Sequence, residues 1–250
     1  MSRVWIDFIH SQDILNSEVM FGDQLFRAKI LADGLTTQSG IKASVDGVGR
    51  TYVLNLKPGE IIEAFISKEH IRAFTISGEI QIGDATFPEW LFLEGGIGSK
   101  IPKILAITDV ELFVSTNSWN VEIDFYFNHF SHVDWAGAVV KELPGGAARK
   151  ALGDHDDFGA AVLGVLPGWN SPFTEFHTFS EEIFQIQGTM STTFGVMTPG
   201  SYLSHPRGDD TIHGPVFSKT GGLMLVLRHG PIGNTYLPAD SSEIARVRNL

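Results

Sequence analysis

Short apolar stretches separated by turn residues recur along the whole chain. The segment Thr51–Leu56 is rich in β-forming residues and is followed by a Pro-Gly turn. Between Gly78 and Gly83, polar and apolar residues alternate. Because successive side chains of a strand point to opposite faces of a sheet, this alternation predicts a half-buried strand. Strands that recur every ~8–12 residues with Gly and Pro between them predict an antiparallel sandwich or barrel.

The same pattern predicts further strands in both halves of the chain. They are expected over residues 71–76, 104–107, 111–114, 160–166, 182–187, 191–197 and 222–228. Residues 104–107 and 111–114 are expected to form a hairpin that turns at 108–110. No long stretch has the periodicity of a helix, so the predicted fold class is all-β.

Parts of the second half resemble parts of the first. The sequence Phe74-Thr75-Ile76-Ser77-Gly78 resembles Phe184-Gln185-Ile186-Gln187-Gly188, at an offset of 110 residues. The Pro-Gly turn at Pro58 matches that at Pro167, at an offset of 109. A slowly drifting offset indicates a duplicated domain with small insertions. We therefore predict an N-terminal domain over residues 1–130 and a C-terminal domain over residues 131–250.

Composition and charge exclude several classes of protein. The 250 residues include no cysteine, which excludes disulfides, cysteine-ligated zinc, iron–sulfur clusters and a thiol nucleophile. With 18 Lys and Arg against 29 Asp and Glu, the formal net charge is −11, which disfavours nucleic acid and anionic membranes as partners. No apolar run approaches the ~20 residues of a membrane span, and the N-terminal segment is too polar for a secretory signal. We expect a cytoplasmic protein.

The residues that suggest chemistry lie in the second half. Glu175, His177 and Glu181 are spaced by even numbers of residues, so an extended strand would direct all three side chains to one face. His213 lies beyond a turn rich in Pro and Gly and could join them from a neighbouring strand. A set of imidazole and carboxylate groups suits a divalent metal such as Fe(II), Mn(II), Ni(II) or Zn(II).

These segments resemble the two sequence motifs of the cupin superfamily. In the first motif, G-x5-H-x-H-x3-4-E-x6-G, His177 matches the second His, Glu181 the Glu and Gly188 the final Gly. In the second, G-x5-P-x-G-x2-H, the Gly and Pro positions match, but His213 comes two residues later than the pattern. The run 199–208, PGSYLSHPRG, is similar to ChrR-like cupins. The resemblance implies two tandem barrels of jelly-roll type, with a metal, Fe(II) in first place, bound only in the second.

The chain departs from the motif at its first His, which is Glu175 here. Three interpretations are open: Glu175 is a fourth metal ligand, it is a catalytic base beside a metal held by His177, Glu181 and His213, or the site is degenerate and empty. In the first half, the alignment places Ile71 at the position of Glu181, and residues 96–102 contain no His. The N-terminal barrel is therefore expected to bind no metal.

The resemblance also implies a function. It predicts a metal-dependent dioxygenase acting on a small enolisable ketone, diketone or phenolic compound, with Gln185, Phe194 and His205 as candidate pocket residues. His205 also fits a structural or rim position, and packing in the core or barrel explains Gln185 and Phe194 equally well. The alternatives are a metal-assisted hydrolase, lyase or isomerase, and a non-catalytic binding or sensor module. Since such barrels often pair through edge strands, a homodimer is expected.

Overall fold

The computed structural model describes residues 6–33, 49–118, 122–129, 141–143 (backbone only) and 146–250. The chain divides into two compact units. The N-terminal unit contains the described residues between 14 and 129. The C-terminal unit contains residues 6–13 and the described residues from 141 onward. In the described part of the chain, no helix is long and apolar enough to cross a membrane.

The strands of the N-terminal unit form one large sheet and smaller ones. They are β2 (Ser17–Phe21), β3 (Gln24–Ala32), β4 (Thr51–Leu56), β5 (Ile61–Ile62), β6 (Phe65–Ile66), β7 (His70–Ser77), β8 (Ile80–Ile82), β9 (Ala85–Phe87), β10 (Leu91–Gly95), β11 (Lys100–Ile101), β12 (Ile104–Ala106), β13 (Val110–Asn117) and β14 (Tyr126–His129). The large sheet has the order β14-β10-β7-β13-β4-β3-β2, and a smaller one has the order β5-β12-β8-β9. One continuous apolar core contains residues of both sheets.

The C-terminal unit is built in the same way. Its strands are β1 (Ile6–His10), β15 (Lys141–Leu143), β16 (Ala147–His155), β17 (Phe158–Val165), β18 (Trp169–Ser171), β19 (Phe173–His177), β20 (Ser180–Gly188), β21 (Met190–Thr192), β22 (Gly195–Met197), β23 (Ser201–His205), β24 (Val216–Ser218), β25 (Gly222–His229) and β26 (Asn234–Pro238). The large sheet has the order β1-β23-β20-β25-β17-β16-β15. A short helix, α1 (Ser241–Arg248), begins after Asp240, whose side chain accepts a hydrogen bond from the Ser242 N–H.

The first strand of the chain belongs to the C-terminal sheet. Strand β1 pairs antiparallel with β23, with Ile9 opposite Tyr202 and His10 opposite Ser201. The C-terminal unit is therefore assembled from two separate stretches of sequence.

The two large sheets confirm the all-β fold and match strand for strand. Strands β10, β7, β13 and β4 of the N-terminal sheet follow one another as β23, β20, β25 and β17 do in the C-terminal sheet. Phe74 pairs with Phe92 across β7 and β10, and Phe184 pairs with Tyr202 across β20 and β23. The internal similarity of the sequence is thus matched by the same pairing in each unit.

One expected pairing is wrong. Strands β12 and β13 do not form a hairpin, because β12 pairs with β5 and β8, whereas β13 pairs with β4 and β7. The turn at residues 107–109 therefore carries the chain from the small sheet to the large one. Alternation of side chains predicts a strand but not which strand is its partner.

We predict that Gly188→Ala destabilises the protein far more than Gly83→Ala. Both glycines have positive φ, +70° and +61°, so a Cβ atom is strained at either position. At Gly188 the Cβ atom would also overlap the carbonyl oxygen of Gly221, whereas at Gly83 it would meet nothing within 4 Å. In chemical denaturation we expect losses of about 1 kcal/mol for Gly83→Ala and about 3 kcal/mol or more for Gly188→Ala. Equal losses would contradict the close packing at Gly188.

Candidate metal centre

Glu175 and His177 lie two residues apart on β19, so their side chains point to the same face. Strand β19 pairs with β26, which places Tyr236 opposite Glu175 and Asn234 opposite His177. The side-chain amide of Asn234 donates a hydrogen bond to Oε2 of Glu175 over 3.1 Å. Glu175 is thereby held with its carboxylate 3.7 Å from Nε2 of His177.

On its other side, Glu175 is joined to His213. The Glu175 N–H donates to the His213 carbonyl over 2.8 Å, and the His213 N–H donates to the Glu175 carbonyl over 3.0 Å. The loop before His213 is closed by the Thr211 hydroxyl, which donates to the carbonyls of Pro206 and Gly208 at 2.9 and 2.7 Å. The two additional residues relative to the cupin motif are accommodated in this loop, and His213 still reaches the site.

Glu181 and His205 are direct neighbours in the large sheet, Glu181 near the start of β20 and His205 at the end of β23. On the other side of β20, Arg228 of β25 is opposite Glu181. The sheet thus places a carboxylate between an imidazole and a guanidinium.

Three imidazoles lie close together at this end of the unit. The ring centroids of His177 and His213 are 4.7 Å apart, and those of His205 and His213 are 4.1 Å apart. The His177 ring stacks on Phe179, with centroids 4.4 Å apart and an angle of 4° between the planes. All three histidines are buried. The stacking fixes the orientation of the His177 ring.

Two groups of side chains in the described part of the chain could hold a metal ion. One is Glu175, His177 and His213, and the other is Glu181, His205 and His213. Within each group, one donor atom per residue lies within 4.8 Å of the others. Nδ1 of His177 is buried and has no hydrogen-bond partner among the described residues. Since a buried polar atom without a partner is costly, this nitrogen favours an additional ligand at the site.

The protonation of Glu175 and His177 is coupled. Burial alone would raise the pKa of the Glu175 carboxyl, but the hydrogen bond and the charge of His177 outweigh it and hold that pKa below its usual value. Burial would lower the pKa of His177, but the carboxylates of Glu181 and Glu175 raise it. Glu175 is therefore a carboxylate at neutral pH.

The remaining groups are shifted towards their neutral forms. Burial raises the pKa of Glu181 to about 7, and the nearby Glu175 carboxylate adds to the increase. Burial also lowers the pKa of His205 and His213, and the positive charge of His177 contributes to both shifts. Both imidazoles are neutral at neutral pH, which is the state that binds metals.

Glu175 and Glu181 line a cavity of about 760 Å³ inside the C-terminal unit. Its other lining residues are mostly apolar or aromatic, with two arginines among them: Ala147, Arg149, Gly159, Ala161, Leu163, Trp169, Asn170, Ser171, Pro172, Phe173, Phe179, Val216, Val226, Arg228, Ile232, Asn234 and Tyr236. This volume is within the range of small-molecule sites.

The cavity opens to solvent at one side. Phe173, Ile232 and Tyr236 line it and are 46%, 69% and 58% exposed, respectively. Phe173 and Tyr236 lie on the paired strands β19 and β26, and their rings are in edge contact at 6.3 Å. These three side chains therefore form the solvent-exposed edge of the cavity.

None of the three predicted pocket residues, Gln185, Phe194 and His205, is among the residues that line this cavity. Gln185 is fully buried and donates a hydrogen bond to the carbonyl of Gln187 over 2.6 Å, beside an irregularity in the pairing of β20. Phe194 lies in the turn between β21 and β22, where its N–H donates to the Thr192 hydroxyl. Gln185 is thus held by the backbone next to it, and Phe194 lies in a turn.

His205, the third predicted pocket residue, belongs to one of the two candidate metal-binding groups. The sequence predicts it at the pocket or at a structural or rim position. The signal that could have identified it is its place at the end of β23, which the pairing of β20 and β23 brings opposite Glu181.

Glu182 faces away from the cavity and is also buried. Its carboxylate accepts hydrogen bonds from the Tyr202 hydroxyl over 2.6 Å and from Nε2 of His229 over 2.7 Å. Glu182 is therefore part of a buried hydrogen-bonded group with Tyr202 and His229, on the face of the sheet opposite to Glu181.

The equivalent positions of the N-terminal unit carry no such set of donors. Phe65 pairs with Ile101 as Glu175 does with His213, and Ile71 pairs with Gly95 as Glu181 does with His205. Ile71 and Ile101 belong to the apolar core, and Phe65 packs against it. Among the described residues of this unit, no group of three potential metal ligands is found.

Several solved structures are similar to this chain. A candidate dioxygenase from Nostoc punctiforme is 14% identical with a TM-score of 0.71, and the match covers 94% of this chain and 86% of that one. The oxalate decarboxylase of Lactobacillus farciminis is 11% identical with a TM-score of 0.60, and 100% and 94% of the two chains are covered. A cupin 2 conserved barrel protein from Leptotrichia buccalis is 13% identical with a TM-score of 0.56, and 90% and 97% are covered.

At these identities the similarity establishes the fold, and the fold is that of the cupins. No protein-family model matches the sequence, and no curated protein matches it. The resemblance to cupins at the fold level is confirmed, whereas the closer similarity to ChrR-like cupins stays a prediction.

We predict that, in the metal-free protein, the Glu181 carboxyl titrates near pH 7 instead of near its ordinary value of 4.5. The infrared band of a protonated carboxylic acid should disappear with a midpoint near pH 7 in the wild type and be absent in Glu181→Gln. Because the folded-state pKa is raised, this carboxyl favours folding below the unfolded pKa, and that contribution is lost as the pH rises through 7. Glu181→Gln should therefore gain stability relative to the wild type between pH 5 and pH 8. A midpoint near 4.5 would contradict the prediction.

Proposed function

We propose that this protein is a metal-dependent enzyme that acts on a small molecule in the cavity of the C-terminal unit. The observation that carries the proposal is the convergence of three imidazoles and two carboxylates beside a largely apolar cavity of about 760 Å³. The homodimer and the cytoplasmic location stay predictions.

The donor set fits a divalent transition metal. His177 and His213 offer imidazole nitrogens, and His205 adds a third. Glu181 supplies a carboxylate that a bound cation would favour in its ionised form. Imidazole and carboxylate ligands together suit Fe(II), Mn(II), Ni(II) and Zn(II), and we propose Fe(II) first.

Such a metal, when bound, supplies Lewis acidity and, in the case of iron, redox chemistry with O2. The protein itself supplies the base. Glu175 is ionised, lines the cavity and is oriented by Asn234, so its Oε atoms are in position to accept a proton from an enolisable carbon or a phenolic hydroxyl of a bound substrate. Glu175 in this role corresponds to the second interpretation of its place in the motif.

The cavity wall binds the body of the substrate and limits access of water. Trp169, Phe173 and Phe179 present aromatic surface, and Leu163 and Val226 present aliphatic surface. Burial of apolar surface against such walls favours a flat or compact carbon skeleton over a polar one. Enolisable ketones, diketones and phenols meet this requirement.

We propose dioxygenation as the reaction, in which O2 is consumed and both of its atoms enter the product. Two of the similar structures support this choice, the candidate dioxygenase from Nostoc punctiforme and the salicylate 1,2-dioxygenase of Pseudoaminobacter salicylatoxidans, which has a TM-score of 0.59 at 11% identity over 90% of this chain and 81% of that one. A reaction without O2, such as a lyase reaction, is the second candidate, because an oxalate decarboxylase matches the whole of this chain.

We expect the purified protein to contain about one transition-metal ion per chain and His177→Ala to lose most of it. His177 has a buried nitrogen without a partner among the described residues, and its loss removes a donor from one of the candidate groups. The measurement is elemental analysis of the wild type and the variant after both have been dialysed against the same buffer containing trace amounts of transition metals.

The matched control is His10→Ala in the same unit. Nδ1 of His10 contacts the Ser201 hydroxyl at 3.1 Å, and His10 is in neither candidate group. Equal loss of metal from both variants, or a wild type that binds none, would refute the proposed metal site.

We expect the iron-loaded enzyme to consume O2 with members of a panel of diketones and phenols. Glu175→Gln should lower kcat by roughly a hundredfold, because the amide cannot accept the proton, while a wild-type-like circular dichroism spectrum shows that the variant folds. Oxygen uptake is measured with an electrode, and product formation is followed in parallel under nitrogen.

The result under nitrogen separates the alternatives. Turnover without O2 would replace the dioxygenase by a hydrolase, lyase or isomerase. Binding of panel compounds by a protein without metal would indicate a binding or sensor module. No oxygen uptake by iron-loaded protein with any compound of the panel would overturn the proposed reaction.

A further inference from the structure

Two arginines line the cavity beside the candidate metal-binding residues. Arg149 is on β16 and Arg228 is on β25. With Glu175 and Glu181, they are the formally charged residues of the cavity wall in the described part of the chain. A divalent cation held at the site would compensate the two carboxylates and leave the two guanidinium groups as the remaining charge of the wall.

Arg228 is held rigidly by backbone carbonyls. Its Nη2 donates to His155 and Phe158 over 2.6 and 2.8 Å, and its Nη1 donates to Asp156 over 3.1 Å and to Gly230. These bonds fix a positive charge beside Glu181, the residue opposite it in the sheet. Arg228 thus contributes charge and holds the turn between β16 and β17.

Arg149 has N–H groups to spare. Its Nη2 donates to Oδ1 of Asp154 over 2.7 Å, and no other hydrogen bond of this guanidinium is found within the described residues. A guanidinium presents five donors in a planar fork that matches a carboxylate. Asp154 accepts a hydrogen bond from Nη2 only, so the other N–H groups of the guanidinium are available to a ligand in the cavity.

The surroundings make a neutral ligand a poor match for this group. Ala147, Ala161 and Leu163 line the wall near Arg149, with Leu163 opposite it in the sheet. In apolar surroundings a charged donor gains most from an ionised acceptor, because charge-assisted hydrogen bonds are stronger than neutral ones and water competes less. The protein as a whole carries a net charge of −11, so the two arginines of the cavity wall contrast with the negative charge of the rest of the molecule.

We propose that the substrate carries a carboxylate, or an equivalent planar anionic group, bound by Arg149, with Arg228 adding positive charge. The substrate class is then an enolisable or phenolic compound with an acidic group, its body against the aromatic wall that includes Trp169 and Phe173. This inference rests on the proposed function for the identity of the site, but the anion-binding step can be tested without metal.

The test is calorimetric titration of the metal-free protein at pH 6 with benzoate and with benzamide. The two probes have the same shape and differ in charge. We expect the wild type to bind benzoate roughly tenfold more tightly than benzamide. Arg149→Gln should reduce this preference to about one while its affinity for benzamide stays unchanged, which also shows that the variant is folded.

Two further variants complete the experiment. Arg149→Lys keeps the charge but not the fork and should retain an intermediate preference. Arg27→Gln, at an exposed position of the N-terminal unit, makes the same change in net charge and should leave the preference intact.

Equal affinities for the two probes in the wild type, no benzoate binding at about 10 mM, or a preference that survives Arg149→Gln would overturn the inference. Failure of the proposed function is distinguishable, since it would show as absence of metal or turnover while the benzoate preference and its dependence on Arg149 persist.

Discussion

The candidate site depends on one pairing, the reciprocal backbone hydrogen bonds between Glu175 and His213 at 2.8 and 3.0 Å. They join the two motifs of the sequence, between which the chain forms strands β20 to β23. A one-residue slip in register would turn every side chain of β19 to the opposite face of the strand. This pairing therefore also fixes the face to which Glu175 and His177 point. The position of His205 opposite Glu181 then follows from the pairing of β23 with β20.

The N-terminal unit shows that the same pairing does not require polar residues. There the bridge between Phe65 and Ile101 and the pair Ile71 and Gly95 occupy the equivalent positions. Ile71 and Ile101 belong to the apolar core and Phe65 packs against it, so these positions stabilise the N-terminal unit by burying apolar surface. In the C-terminal unit, five titratable side chains and a cavity replace that packing. Such a departure from good packing is expected at functional sites.

The sequence predicted strands well and partners less well. Alternation and turn residues placed Thr51–Leu56 at its observed bounds, because those signals are local. The hairpin predicted for residues 104–107 and 111–114 was wrong because strand pairing depends on residues that are distant in sequence. Successive side chains of a strand point to opposite faces, which explains the consecutive residues Glu181 and Glu182. Glu181 faces the cavity, and Glu182 contacts Tyr202 and His229 on the other face. Burial of Glu182 could not be predicted, since it depends on packing from elsewhere in the fold.

The replacement of the motif's first His by Glu175 changes the electrostatics of the whole cavity. Three histidines and one glutamate around a divalent cation leave a net positive charge, which attracts anionic ligands over several ångströms. With both Glu175 and Glu181 ionised, two carboxylates cancel the charge of the cation, and that attraction is lost. Positive charge for an anionic substrate must then come from the protein, and Arg228 beside Glu181 and Arg149 on the neighbouring wall supply it. The unusual glutamate and the two cavity arginines are therefore consistent with one another as parts of a single charge balance.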